Sequence, residues 1–150
     1  MSFSSQVNTW VIGKAGSNAN PKRVRDGVLL KLFGAVIKST PVAEGRARGA
    51  WNTGINNVSL DNQANAPKGQ APLRRSAEKL RPSEMEDTIY FSNNLPYISA
   101  LEFGEYPGVG PKTVQGAGGI YSKQAPSGMV RQNIARFSNL IAREAARVNK

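Results

Sequence analysis

The chain has 150 residues, 39% hydrophobic and 20% charged, which bounds it to one compact domain, residues 1–150, with one core. It has no cysteine and no histidine, which excludes disulfide frameworks, thiol nucleophiles, zinc sites and imidazole acid–base chemistry. Twenty lysines and arginines face ten acids for a net charge of +10, an excess that either attracts nucleic acid or serves solubility alone.

Phe3, Val7, Trp10 and Val11 recur at helical spacing and predict a short amphipathic helix, broken by residues 13–20 (GKAGSNAN). Asn20 then caps a second helix over 21–38, with Pro21 in the tolerant first turn. Val24, Val28, Leu32 and Val36 line one side, and Leu29, Leu30, Phe33 and Ile37 widen the apolar arc well past a stripe. Such a helix is covered on more than one side, by the chain's own sheet, by a neighbouring subunit, or by both. Leu29, Leu30, Phe33 and Ile37 are therefore the candidate subunit interface. The longest apolar run, residues 28–37, contains Lys31 and Gly34 and falls short of a membrane span. Residues 1–10 lack a signal-peptide layout, so a protein made and used without export is expected.

Pro41 ends that helix and Gly45 turns the chain. Residues 48–60 read as a strand, with Trp51, Thr53 and Ile55 on one face and Asn52 and Asn56 on the other. Residues 61–87 carry Pro67, Pro72 and Pro82 and read as a long arm or loop, with a possible turn of helix at 74–80. A second strand covers 88–92, Ile89 and Phe91 facing inward. Asn93-Asn94-Leu95-Pro96 opens a short helix with Tyr97 and Leu101 one turn apart and Gly104 as its stop. Six glycines and two prolines within 104–119 predict a flexible loop, extending to about residue 123. A final helix spans 126–148. Its apolar face is Val130, Ile134, Phe137, Ile141, Ala145 and Val148, and Arg136, Arg143, Arg147 and Lys150 fall nearly opposite. Those four cations are the candidate DNA-facing residues; the competing reading is a solvated outer face. Without interleaved aromatics, any contact would be to backbone and independent of sequence.

Little points to catalysis. Residues 13–17 (GKAGS) lack phosphate-loop spacing, and Ser127 has neither a GxSxG elbow nor a histidine. Glu84, Glu86 and Asp87 read as a solvated charge run, and Glu102 with Glu105 makes a poor metal site. No catalytic residue, metal or cofactor is expected.

Three segments carry a resemblance: STPVAEGRARGAWNTG (39–54), IYFSNNLPYISALEFGEYPG (89–108) and YSKQAPSGMVRQNIARF (121–137). Their order and spacing, over most of residues 24–148, are similar to the tail-completion, or head–tail joining, family of long-tailed phages, of the lambda minor tail protein Z type. That family shows "TPV-acid-TG-R-R-W", then "NN-PYA-LE-G", then "QAP-GMV" opening the last helix. The matching positions are Pro41, Gly45, Arg48, Trp51, Asn93, Asn94, Pro96, Tyr97, Glu102, Gly104, Gln124, Pro126 and Gly128, which read as fold-determining. This chain departs at Ala43-Glu44, where the acid is displaced by one position, and its glycine-rich insert at 108–119 is longer.

The resemblance implies an α+β domain. An antiparallel β-sheet packs against a long helix of the N-terminal half and a long C-terminal helix, with extended loops. It implies a structural virion protein in the neck or tail, assembled in the host cytoplasm. Six copies would form a ring through which genomic DNA passes. Its neighbours would be other neck, head-completion, tail-tube or terminator proteins, with no membrane partner. A tail terminator capping the tube is the nearest alternative, and a free sequence-independent nucleic-acid-binding protein is the alternative of another class.

Overall fold

The computed structural model describes residues 20–148, so the helix expected around Phe3 to Val11, and Lys150, lie outside the described residues. The first element among the described residues is helix α1, Pro21–Ser39. Its start is the expected one. The Asn20 side chain accepts from the Arg23 N–H at 3.2 Å, and Pro21 occupies the first turn. At the other end the Thr40 N–H and hydroxyl both return to the Val36 carbonyl, which closes the last turn.

A short helix α2, Arg46–Gly49, leads into strand β1, Trp51–Ile55. The expected strand over 48–60 is thus only its middle. Gly45, at φ 84°, turns the chain so that residues 46–49 coil before they extend. Strand β2, Ile89–Asn93, pairs antiparallel with β1, from Trp51 opposite Asn93 to Ile55 opposite Ile89.

Two expected loops contain structure. Residues 61–87 include helix α3, Gln70–Leu80, whose Pro72, Ser76 and Leu80 are buried. Its inward face is built from a proline and a serine, so the apolar periodicity that betrays a helix is weak. The Ser76 hydroxyl is satisfied by Thr53 Oγ1 at 2.7 Å and the Pro72 carbonyl at 3.0 Å. After helix α4, Ile98–Phe103, the glycine-rich stretch forms a hairpin of β3, Thr113–Gly116, and β4, Gly119–Ser122. Here glycine serves packing as well as the turn. A Cβ on Gly104 or Gly116 would stand 2.6 or 2.7 Å from the buried Tyr121 ring.

The last helix is broken. Helix α5, Val130–Ala135, ends at Arg136, and α6, Phe137–Val148, resumes. It begins at Val130, not Pro126, because Gly128 at φ 81° still lies in the turn. Buried Asn133 explains the rotation: its amide donates to Ser39 Oγ at 3.1 Å and the Met129 carbonyl at 2.6 Å. With Asn133 inward, Ile134 points outward and is 54% exposed, which corrects its place on the expected apolar face.

The architecture is α+β, with two small antiparallel sheets where one was expected, and a C-terminal helix in two pieces. α1 is the hub, packing against α3, α5 and α6. Val36, Ile37, Ala47, Trp51, Leu101, Ala125 and Met129 form the main core. Phe33, Phe91 and Trp51 stack face to face, with centroids 4.0 and 4.7 Å apart, and join α1 to β2 and β1. Asn52, expected on an open face, is buried beneath the 59–63 segment and bonds to the Asp61 carbonyl and the Gln63 amide.

Candidate functional site

The three motif segments lock together in space through contacts that span up to 94 residues of sequence. Trp51 Nε1 donates to Thr40 Oγ1 at 2.9 Å. Arg48 spans the end of α1, donating to the carbonyls of Thr40, Lys38 and Pro67 at 2.7–3.2 Å. A helix C-terminus leaves its last carbonyls without partners, and a guanidinium there satisfies several at once. Asn93 Nδ2 donates to the Ala47 carbonyl, and its Oδ1 accepts from Leu95 N–H. Asn94 reaches the Ser59 carbonyl at 3.3 Å. The Gln124 amide pairs with both polar groups of the Val42 backbone, at 2.8 and 3.0 Å. A carboxamide alone offers one donor and one acceptor in that plane.

Glu102 completes the knot. Its carboxylate accepts from the N–H groups of Met129, Val130 and Arg131 at 2.6, 2.8 and 3.0 Å, and from Arg131 Nε at 3.0 Å. It therefore caps α5 from a distant helix. Gly128 makes room, since a Cβ there would stand 2.5 Å from the Glu102 carbonyl oxygen. Burial by itself raises the Glu102 pKa; the three backbone donors and Arg131 outweigh it and hold the carboxyl below its usual value. The residue weighed as a poor metal ligand is thus a helix cap.

In the acidic run at 84–87, Glu84 and Glu86 are exposed, and Asp87 has a structural role. Asp87 accepts from the Glu84 N–H at 2.7 Å and from Asn56 Nδ2 at 2.8 Å, which lowers its pKa. Glu105 accepts from Ser99 at 3.2 Å. Among the described residues no cluster of three acidic side chains is placed to hold a metal.

The candidate DNA-facing cations divide. Arg136 and Arg143 are exposed and, among the described residues, make no ion pair. Arg147 is committed to Glu144, with Nε 2.9 Å from Oε1. Glu144 is fully buried against α1, and Lys31 stands 2.6 Å from its Oε2, off the line of a hydrogen bond. Arg147 foremost, then Lys31, holds the Glu144 pKa down against burial. Sequence spacing placed Arg147 on the right face and missed the acid three residues before it.

The candidate subunit interface is corrected as well. Leu29, Phe33 and Ile37 are buried by the chain itself, against Leu80, Phe91 and Trp51, and only Leu30 is half-exposed. α3, of which the sequence showed only a possible turn at 74–80, supplies much of that cover.

One open cleft, of about 520 Å³, lies between the 41–47 turn, the start of α4 and the hairpin. Val42, Tyr97, Leu101 and Tyr106 give it an apolar and aromatic wall, with Arg46 and Lys112 at its edge. Tyr106 has its pKa raised by burial and by neighbouring Tyr97. Glu44, Lys112, Thr113 and Ser122 also line it, and among the described residues no side-chain hydrogen bond joins any two of these four into a nucleophile–base pair.

No family model, curated protein or solved structure matches this chain. No helix among the described residues is long and apolar enough to cross a membrane.

Proposed function

We propose that this protein is a structural neck subunit of a long-tailed phage, completing the tail and joining it to the head as one copy of a ring around the DNA. The observation that carries this reading is the mutual locking of its three motif segments. Their polar side chains satisfy backbone groups of one another, which is the behaviour of residues that define a fold. The reading needs no catalytic centre.

Two further features support it. Arg136 and Arg143, without an ion pair among the described residues, offer positive charge of the kind that meets phosphate without reading sequence. Exposed apolar side chains stand on well-anchored loops, notably Leu60, 72% exposed, and Val109, 63% exposed. Such groups gain by burial against a partner. The charge by itself also fits a free nucleic-acid-binding protein.

Light scattering on a size-exclusion column, with and without isolated tails, tests the proposal. The expected result is a ring-sized species, or a monomer that co-elutes with tails and restores head joining. A stable monomer that ignores tails and binds DNA tightly would move the reading to the nucleic-acid-binding alternative.

A further inference from the structure

Where α1 meets the end of α3, the acids are spent on inner cations. Asp26 accepts from Lys22 Nζ through Oδ2, and from Arg25 Nε and Nη2 through Oδ1 at 3.0 and 2.8 Å. Both cations also tie the two helices together. Lys22 Nζ donates to the carbonyls of Leu80 and Arg81 at 3.0 and 3.2 Å, and buried Arg25 donates to Ser83 Oγ at 2.6 Å. Glu144, on α6, is fully buried and engaged by Arg147 and Lys31.

These ties frame a second open cleft, of about 410 Å³, whose charge is unbalanced. Lys22, Arg23, Arg81 and Arg147 converge on it from α1, the end of α3 and α6, and Asp26 is the one acid of its described wall. Arg23 and Arg81 are exposed and make no ion pair among the described residues. Like charges gathered in this way repel one another, and an anion laid across them relieves that cost. No apolar side chain lines this cleft among the described residues, so it lacks the apolar centre of a protein–protein contact.

We infer that the cleft is a contact for the phosphodiester backbone of duplex DNA, made by Arg23 and Arg81, with Lys22 and Arg147 adding to the positive field around them. Guanidinium contacts to phosphate fix position without reading bases, which suits a surface that DNA of any sequence passes. The inference takes DNA as the partner from the neck reading. It adds to the stripe on the last helix a contact that helical spacing could not show, since its two arginines come from different elements.

Filter binding of a short duplex of arbitrary sequence, measured across a salt series, tests it. Replacing Arg23 and Arg81 together by alanine is expected to weaken binding roughly tenfold or more at low salt. The salt slope should flatten by about two charges' worth, equally on a second, unrelated duplex. Replacing both by lysine keeps the charge and is expected to keep the slope, as is Arg74→Ala, which removes an exposed cation outside the cleft. A double alanine variant with the wild-type slope, or a wild type that does not bind the duplex at low salt, overturns this contact and leaves the ring reading standing. A double alanine variant that keeps its DNA affinity and no longer co-elutes with tails assigns the cleft to a protein neighbour and likewise overturns it. A slope that flattens as expected in a chain that forms no ring, alone or on tails, keeps the contact and overturns the neck reading.

Discussion

The indole nitrogen of Trp51 and the hydroxyl of Thr40 meet in the core at 2.9 Å, and the same hydroxyl closes the last turn of α1 by donating to the Val36 carbonyl. One buried oxygen thus registers the first strand against the first helix. Thr40→Val keeps the shape and removes the acceptor, leaving the indole N–H buried without a partner. That substitution is expected to cost about 1–3 kcal/mol, read as a lower urea midpoint with an unchanged slope. Thr40→Ser, which keeps the hydroxyl, is expected to lose less.

Glu102 links α4 to the start of α5 through four hydrogen bonds. Glu102→Ala removes a cap and leaves the N–H groups of Met129, Val130 and Arg131, the first of them buried, without their acceptor, while Arg131 keeps the Glu102 carbonyl and the Tyr121 hydroxyl. A loss of roughly 2–3 kcal/mol is expected. The pH dependence has a definite sign. The folded pKa lies below its ordinary value of 4.5, so this stabilisation is complete above that pH and drains away as pH falls through the folded pKa. Unfolding measured from pH 6 down to pH 3 should show a steeper acid loss in the wild type than in the alanine variant.

Gly27 and Glu144 are coupled across α1 and α6. A Cβ on Gly27 would stand 2.2 Å from Glu144 Oε1 and 2.8 Å from Cδ. Gly27→Ala gains about 1 kcal/mol of helix propensity and displaces a buried carboxylate from Arg147 and Lys31. The net change is expected to be destabilising by about 1–2 kcal/mol. In the Glu144→Ala background the clash is gone, so the same glycine substitution is expected to stabilise. A double-mutant cycle by denaturant unfolding reads this reversal of sign; additive effects would show that the two residues are independent.

Of the candidate DNA-facing cations, Arg136 and Arg143 make no ion pair among the described residues, and Arg147 is held by Glu144. If the protein contacts DNA through them, replacing both by alanine should flatten the plot of log affinity against log salt by about two charges' worth. Arg147→Ala is expected to leave that slope unchanged while lowering stability. Filter binding across a salt series separates the two effects.

α1 and its cap, both strands of the larger sheet, and α4 with its glycine stop were legible because their chemistry is local. Asn20, Pro21 and Gly104 act on neighbouring backbone. α3 was not legible beyond a possible turn, because Pro72 and Ser76 take the inward positions that apolar residues usually hold. Nor was the break at Arg136, which follows from the contact of Asn133 with Ser39, 94 residues earlier. The motif positions could be picked out from the resemblance, yet the partners of Gln124, Glu102 and Arg48 could not. Each satisfies backbone groups on another element, and side-chain spacing along the chain carries no record of that.

Gln124 and Asn133 finish what residues 39–42 begin, and this imposes an order in time. During synthesis α1 emerges early, and the contacts of residues 39–42 with Gln124 and Asn133 must wait for 82 to 94 further residues. At ordinary translation rates that interval lasts on the order of 5–20 seconds. Until then α1 is covered by α3 and the first sheet alone and lacks α5 and α6, so a chain that ends before residue 124 is expected to be a target of chaperones and proteases.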